Sequence, residues 1–131
     1  LDLANGKWAK IEKLRNILEN ALEASGKPII LIGAEWRRLP NTSCFSAPGW
    51  KGETQVMQMD LAGFAVSAGS ACSSGKVKTS RVLRAMGYDE DIASSAIRVS
   101  LGLQTTEDEI EQFATVWLAA YERFLVRKAT R

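Results

Sequence analysis

The sequence predicts an α/β fold, a small mixed sheet of about four strands covered by helices. Three observations lead there. The chain has 131 residues, enough for one packed core and one domain spanning 1–131. Its composition is globular, 46% hydrophobic and 24% charged. Short apolar runs alternate with stripes of helical period, in the order α-β-β-α-β-α-β-α, with no internal repeat and no long linker.

The elements follow in turn. Over 7–24, Trp8, Ile11, Leu14, Leu18, Ala21 and Leu22 recur at spacings of three and four, with Lys and Glu between them. Gly26 and Pro28 end that amphipathic helix. Ile29-Ile30-Leu31-Ile32 reads as a buried strand and Leu39-Pro40-Asn41 as a turn. A second strand runs from Thr42 to Ala47, stopped by Pro48-Gly49. Glu53 to Ala62 is expected as a helix with Val56, Met57 and Leu61 inward and Gly63 at its end. Phe64-Ala65-Val66 is expected as a short strand feeding a loop over 67–78. The stretch 67–75 contains only Gly, Ala, Ser and one Cys, and cannot build a core. A helix opens near Thr79 or Ser80, carries Val82, Leu83 and Met86, and ends at Gly87. Ala96 to Leu101 is the last strand. Thr106 and Glu109 then have the spacing of a capping box for a final helix. Its stripe is Ile110, Phe113, Ala114, Trp117, Leu118, Tyr121 and Leu125.

Composition excludes several functions. The net charge of +2 lacks the concentrated basic face of a nucleic-acid binder. No apolar run is long enough for a membrane helix. The absence of histidine removes imidazole triads and imidazole metal sites, and no metal site is expected. Two cysteines, Cys44 and Cys72, are too few for a disulfide scaffold or a four-thiolate zinc site. With no signal-peptide pattern at the start, they place the chain in a reducing, cytoplasmic compartment. The start at Leu1 raises the expectation of a piece of a longer protein.

The small-residue loop around Cys72 is the first candidate site. Nothing bulky shields the thiol, and Lys76, Lys78, Arg81 and Arg84 follow. A nearby cation or helix N-terminus would lower its pKa and accumulate thiolate; the alternative is a small residue tucked into a tight turn. A phosphate-binding loop does not fit, because five residues separate Gly69 from Gly75 where that motif needs four, and Val77 replaces the magnesium-ligating hydroxyl. Arg98 is the second candidate. Alternation puts it with Ala96 and Ser100 opposite the apolar face of Ile97, Val99 and Leu101. Such a guanidinium either grips a carboxylate bidentately, forms a structural salt bridge, or faces solvent. Cys44 is expected as a buried small hydrophobe, Met57 and Met59 as core, and Trp8 and Trp117 likewise, while Trp36 and Trp50 are not placed. Glu107-Asp108-Glu109 reads as first-turn acids favouring a helix dipole.

The segment Gly63-Phe64-Ala65-Val66-Ser67-Ala68-Gly69-Ser70-Ala71-Cys72-Ser73-Ser74-Gly75 closely resembles the active-site cysteine segment of cysteine desulfurases, pyridoxal-phosphate enzymes of the class V aminotransferase group. The resemblance continues through 80–87, 96–102 and 105–110, and touches Leu39-Pro40-Asn41-Thr42 and Gly52-Glu53. The loop looks like that of the long-loop subgroup associated with iron–sulfur cluster supply. Lys78-Thr79 stand where the family often has an acid and Pro, and Arg81 where His is common; both changes bear on partner preference.

The resemblance implies a C-terminal small domain of fold-type I pyridoxal-phosphate enzymes, with 7–24 as its entering helix. It implies that Cys72 is the catalytic nucleophile that accepts sulfur and that Arg98 binds the substrate carboxylate. No cofactor-binding residue is expected in this chain, because the family's cofactor lysine, ring-stacking histidine and ring-nitrogen acid belong to a preceding large domain. In the full-length enzyme the implied cofactor is pyridoxal phosphate and the implied substrate cysteine. The implied partner is a sulfur acceptor or iron–sulfur scaffold protein, and the enzyme is a homodimer. The alternative is a standalone, non-enzymatic sulfur carrier or interaction module using the Cys72 loop.

Overall fold

The computed structural model describes residues 2–32, 42–64, 66–68, 85, 87–102 and 104–130. Their elements are α1 (Asp2–Ala24), β1 (Ile30–Leu31), β2 (Thr42–Ser46), α2 (Gly52–Leu61), β3 (Ser67–Ala68), α3 (Glu90–Ser94), β4 (Ala96–Ser100) and α4 (Glu107–Ala129). The Cys72 loop beyond Ala68, most of the helix expected over 79–87, the turn at 39–41 and Trp36 lie outside the described residues. No described helix is long and apolar enough to cross a membrane.

The chain divides into two compact units. One is drawn from residues 1–27, 33–43 and 100–131, the other from 28–32 and 44–99. In the first, α1 and α4 pack against each other. Ile11, Leu14, Leu18 and Leu22 form the buried stripe of α1, at the spacing the sequence predicts. The helix starts earlier than the expected 7–24, at Asp2. After α1 the Ser25 hydroxyl donates to the Leu22 carbonyl at 2.6 Å, and Gly26 turns the chain with φ 74°. The expected capping box opens α4. Thr106 Oγ1 accepts from Glu109 N at 3.2 Å, and Glu109 Oε1 accepts from Thr106 N at 2.9 Å. Three first-turn acids and the basic pair Arg127 and Lys128 in the last turn suit the helix dipole. Ile110, Phe113, Ala114, Trp117, Ala120 and Tyr121 are buried, and the Trp117 and Tyr121 rings lie 5.4 Å apart.

The second unit holds the sheet, in the order β1-β2-β4-β3. β1 pairs antiparallel with β2 (Ile30 opposite Ser46, Leu31 opposite Phe45), and β3 antiparallel with β4 (Ser67 opposite Arg98, Ala68 opposite Ile97). The bond from Ala47 N to the Ser95 carbonyl, 3.1 Å, joins the end of β2 to the start of β4, as in an antiparallel pair. The sheet is therefore antiparallel rather than the expected mixed one. The third strand is also displaced: it occupies Ser67–Ala68, inside the expected loop, rather than 64–66. Pairing with β4, not local hydrophobicity, decides its position. Ile32, Ala93 and Ala96 make a small core, with Ile30, Cys44, Tyr88 and Ile92 packed against it. The turn after β2 has Pro48 second and Gly49 third, with φ 89° at Gly49 and a 3.0 Å bond from Trp50 N to the Ala47 carbonyl, the chemistry of a type II turn.

α2 ends in a Schellman motif at Gly63, φ 93°. Phe64 N donates to the Met59 carbonyl at 2.8 Å and Gly63 N to the Asp60 carbonyl at 3.0 Å. Its buried face corrects the sequence expectation. Gly52, Gln55 and Met59 face inward, while Met57 is 64% and Leu61 82% exposed. The cause is polar: Gln55 Nε2 donates to the Trp50 carbonyl at 2.7 Å and the Ser95 carbonyl at 2.8 Å, which turns that face of the helix inward. α3, which shows no periodicity of its own, is capped by Asp89, whose carboxylate accepts from Ile92 N at 2.9 Å.

Urea denaturation checks this arrangement. Leu61→Gln should change stability by less than about 0.5 kcal/mol, whereas Met59→Ala should cost about 2–5 kcal/mol. Thr106→Ala should cost about 1 kcal/mol through loss of the cap.

Candidate functional site

β4 carries the described part of the candidate site. Its burial alternates as expected from Ile97 onward: Ile97 and Val99 are buried, Arg98 and Ser100 exposed, and Leu101 beyond the strand is buried. Ala96 shares Arg98's parity but is buried in the small core of its unit. Arg98 stands opposite Ser67 of β3, and Ala68 opposite Ile97. No carboxylate among the described residues forms an ion pair with Arg98. Of the readings left open by the sequence, the structural salt bridge is thus absent among the described residues, and the guanidinium faces solvent.

The start of β4 is held by a polar clamp. The Ser95 carbonyl accepts from both Ala47 N and Gln55 Nε2. Ser46 Oγ donates to the Ile92 carbonyl at 2.7 Å, and Gly49 N donates to Asp91 Oδ1 at 3.0 Å. Together these tie residues 46–49 and Gln55 to residues 91–95, just before Arg98.

Cys44 differs from its expected burial. It is half-buried, and its side chain flanks the core of Ile32, Ala93 and Ala96. Alternation along β2 buries Ser43 and Phe45 instead. Cys72 lies outside the described residues, so the structure does not bring it together with Arg98. Sequence reasoning missed two buried polar contacts. One is the Gln55 clamp. The other is in the helical unit, where Ser43 Oγ donates to Glu19 Oε2 at 2.7 Å and Glu19 is buried on α1. Neither had a local signal, because the Gln55–Ser95 and Ser43–Glu19 bonds each join positions far apart in sequence.

The model of the aminotransferase class-V family matches residues 4–113. The chain belongs to that family. Among its class-V relatives is a cysteine desulfurase of Cereibacter sphaeroides, 40% identical over 111 residues, covering 85% of this chain and 29% of the relative. The cysteine desulfurase IscS of Acinetobacter baumannii is 38% identical over 114 residues, covering 87% of this chain and 27% of the relative. The solved structure of a NifS-like protein from Rickettsia africae superposes with a TM-score of 0.74 at 30% identity, covering 88% of this chain and 29% of that one. The chain therefore spans less than a third of these class-V relatives. The matched part of that structure shares this chain's fold, a small antiparallel sheet flanked by helices.

Because Arg98 is exposed and carries no ion pair among the described residues, Arg98→Ala should leave stability within about 0.5 kcal/mol of the original in a denaturant melt. A loss of several kcal/mol would identify a structural salt bridge instead.

Proposed function

We propose that this chain is the C-terminal domain of a pyridoxal-phosphate-dependent cysteine desulfurase. The enzyme converts cysteine to alanine, leaves a persulfide on Cys72 and passes the sulfur to an acceptor or scaffold protein for iron–sulfur cluster assembly in the cytoplasm. One observation carries the reading. Arg98 projects from the clamped strand β4 without an internal partner among the described residues, and it stands opposite the strand from which the chain runs into Cys72, four residues after Ala68. Relatives named cysteine desulfurase favour this over a freestanding sulfur carrier.

Features of the described residues support a pyridoxal-phosphate site held outside this chain. The chain has no histidine, Lys27 pairs with Glu122 at 3.1 Å, and Lys10 and Lys51 are exposed. In the proposed enzyme the cofactor is held outside this chain. What the chain contributes is grip and nucleophile. Arg98 holds the substrate carboxylate through two parallel N–H···O bonds, which orients the carbon–sulfur bond. The Cys72 thiolate bonds to the substrate sulfur as the carbon–sulfur bond breaks. Carbon keeps the electron pair and takes a proton, so cysteine plus thiol becomes alanine plus persulfide. A Gly/Ser-rich loop suits a nucleophile that must then present its sulfur to a second protein.

The test is persulfide mapping by mass spectrometry in the full-length enzyme after cysteine turnover. Label should appear on Cys72, vanish in Cys72→Ser and persist in Cys44→Ser. Label on Cys44, or turnover surviving in Cys72→Ser, would overturn the assignment. Arg98→Ala should weaken cysteine binding by about 2–4 kcal/mol, and Arg98→Lys should recover only part of it, because lysine lacks the planar fork.

A further inference from the structure

Gln55 is fully buried on α2, while Met57 and Leu61 of the same helix face outward. A buried amide is costly unless bonded, so this orientation is specified by what the amide meets. It meets the carbonyl of Trp50, in the turn after β2, and the carbonyl of Ser95, the residue before β4. Ser95 O is also bound by Ala47 N, so one carbonyl is gripped from two elements. Three residues later stands Arg98. On the other side of β4, β3 pairs at Arg98 and Ile97, and α2 packs on β3. α2 thus bears on the arginine strand at both its origin and its partner.

From this geometry we infer that Gln55 is a positioning residue for substrate binding: its amide sets the entry and register of β4 and through them the position of the Arg98 guanidinium. The inference rests on the reading of Arg98 as the carboxylate-binding residue. Gln55 touches no substrate; it acts through Ser95 and the strand that follows. A bidentate grip tolerates little displacement, so losing the amide should be felt in recognition of the substrate carboxylate more than in the sulfur-transfer step.

The experiment measures KM and kcat for cysteine in the full-length enzyme. Gln55→Met keeps the side-chain length and removes both donors. Gln55→Asn keeps the amide but withdraws it by a methylene, and gives the same comparison where the Met variant folds poorly. Met59→Ala is the control, opening a cavity on the same buried face of α2 away from the clamp. Gln55→Met should raise KM about tenfold with kcat nearly unchanged, and Met59→Ala should lower the melting temperature while leaving KM in place. In an Arg98→Ala background, Gln55→Met should raise KM no further, because the group it positions is gone. An unchanged KM in Gln55→Met, an equal rise in Met59→Ala, or additive effects with Arg98→Ala would each overturn the inference. Arg98→Ala by itself reports on the underlying reading: a normal KM there removes Arg98 from the site, whereas a raised KM with no effect of Gln55 removes only the positioning role.

Discussion

One carbonyl oxygen, that of Ser95, organises the sheet-bearing unit. It receives an amide from the end of β2 and an amide from the middle of α2, and it lies at the point where the chain turns from α3 into β4. A buried carbonyl left without a donor costs about 1–3 kcal/mol, so these bonds are worth most for the arrangements they forbid. α2 cannot roll to bury Met57 and Leu61 without stripping Ser95 and Trp50 of the Gln55 amide. β2 and β4 cannot slip by a residue without moving Ala47 off its acceptor. The fold here is selected by polar matching as much as by apolar area.

The helical unit works on the opposite principle. Its stripes are long and regular, and α1 and α4 are fixed by many individually small contacts, with a buried polar bond between Ser43 and Glu19 beside them. The Lys27–Glu122 pair at its edge has a largely exposed carboxylate and contributes little.

That contrast explains what could be read from the residues alone. The capping box at Thr106 and Glu109, the stop at Gly63, the stripe of α4 and the facing of Ile97, Arg98 and Val99 depend on neighbours within a few positions, and the sequence pattern revealed them. The buried face of α2 did not yield to the same reasoning. A moment built from Val56, Met57 and Leu61 pointed one way, and carbonyls supplied from 50 and 95 pointed the other. The third strand moved from 64–66 to Ser67–Ala68 because a two-residue strand has no periodicity of its own and takes its place from β4. Cys44 is expected inside as a small hydrophobe of a usually buried residue type, but it sits on the less covered face of β2. Of the candidate site, the orientation of Arg98 was legible and its clamp was not.

The exposure of Arg98 also sets how the surrounding solution acts on it. No carboxylate among the described residues pairs with Arg98, so an anion approaching it displaces none of them. The Debye length falls from about 30 Å at 0.01 M ionic strength to about 8 Å at 0.15 M. At physiological ionic strength the guanidinium therefore exerts almost no pull on an anion beyond the first few water layers. In the proposed carboxylate-binding role, an exposed arginine on a clamped strand discriminates at contact, by the shape of its fork, and contributes little to gathering an anion from a distance.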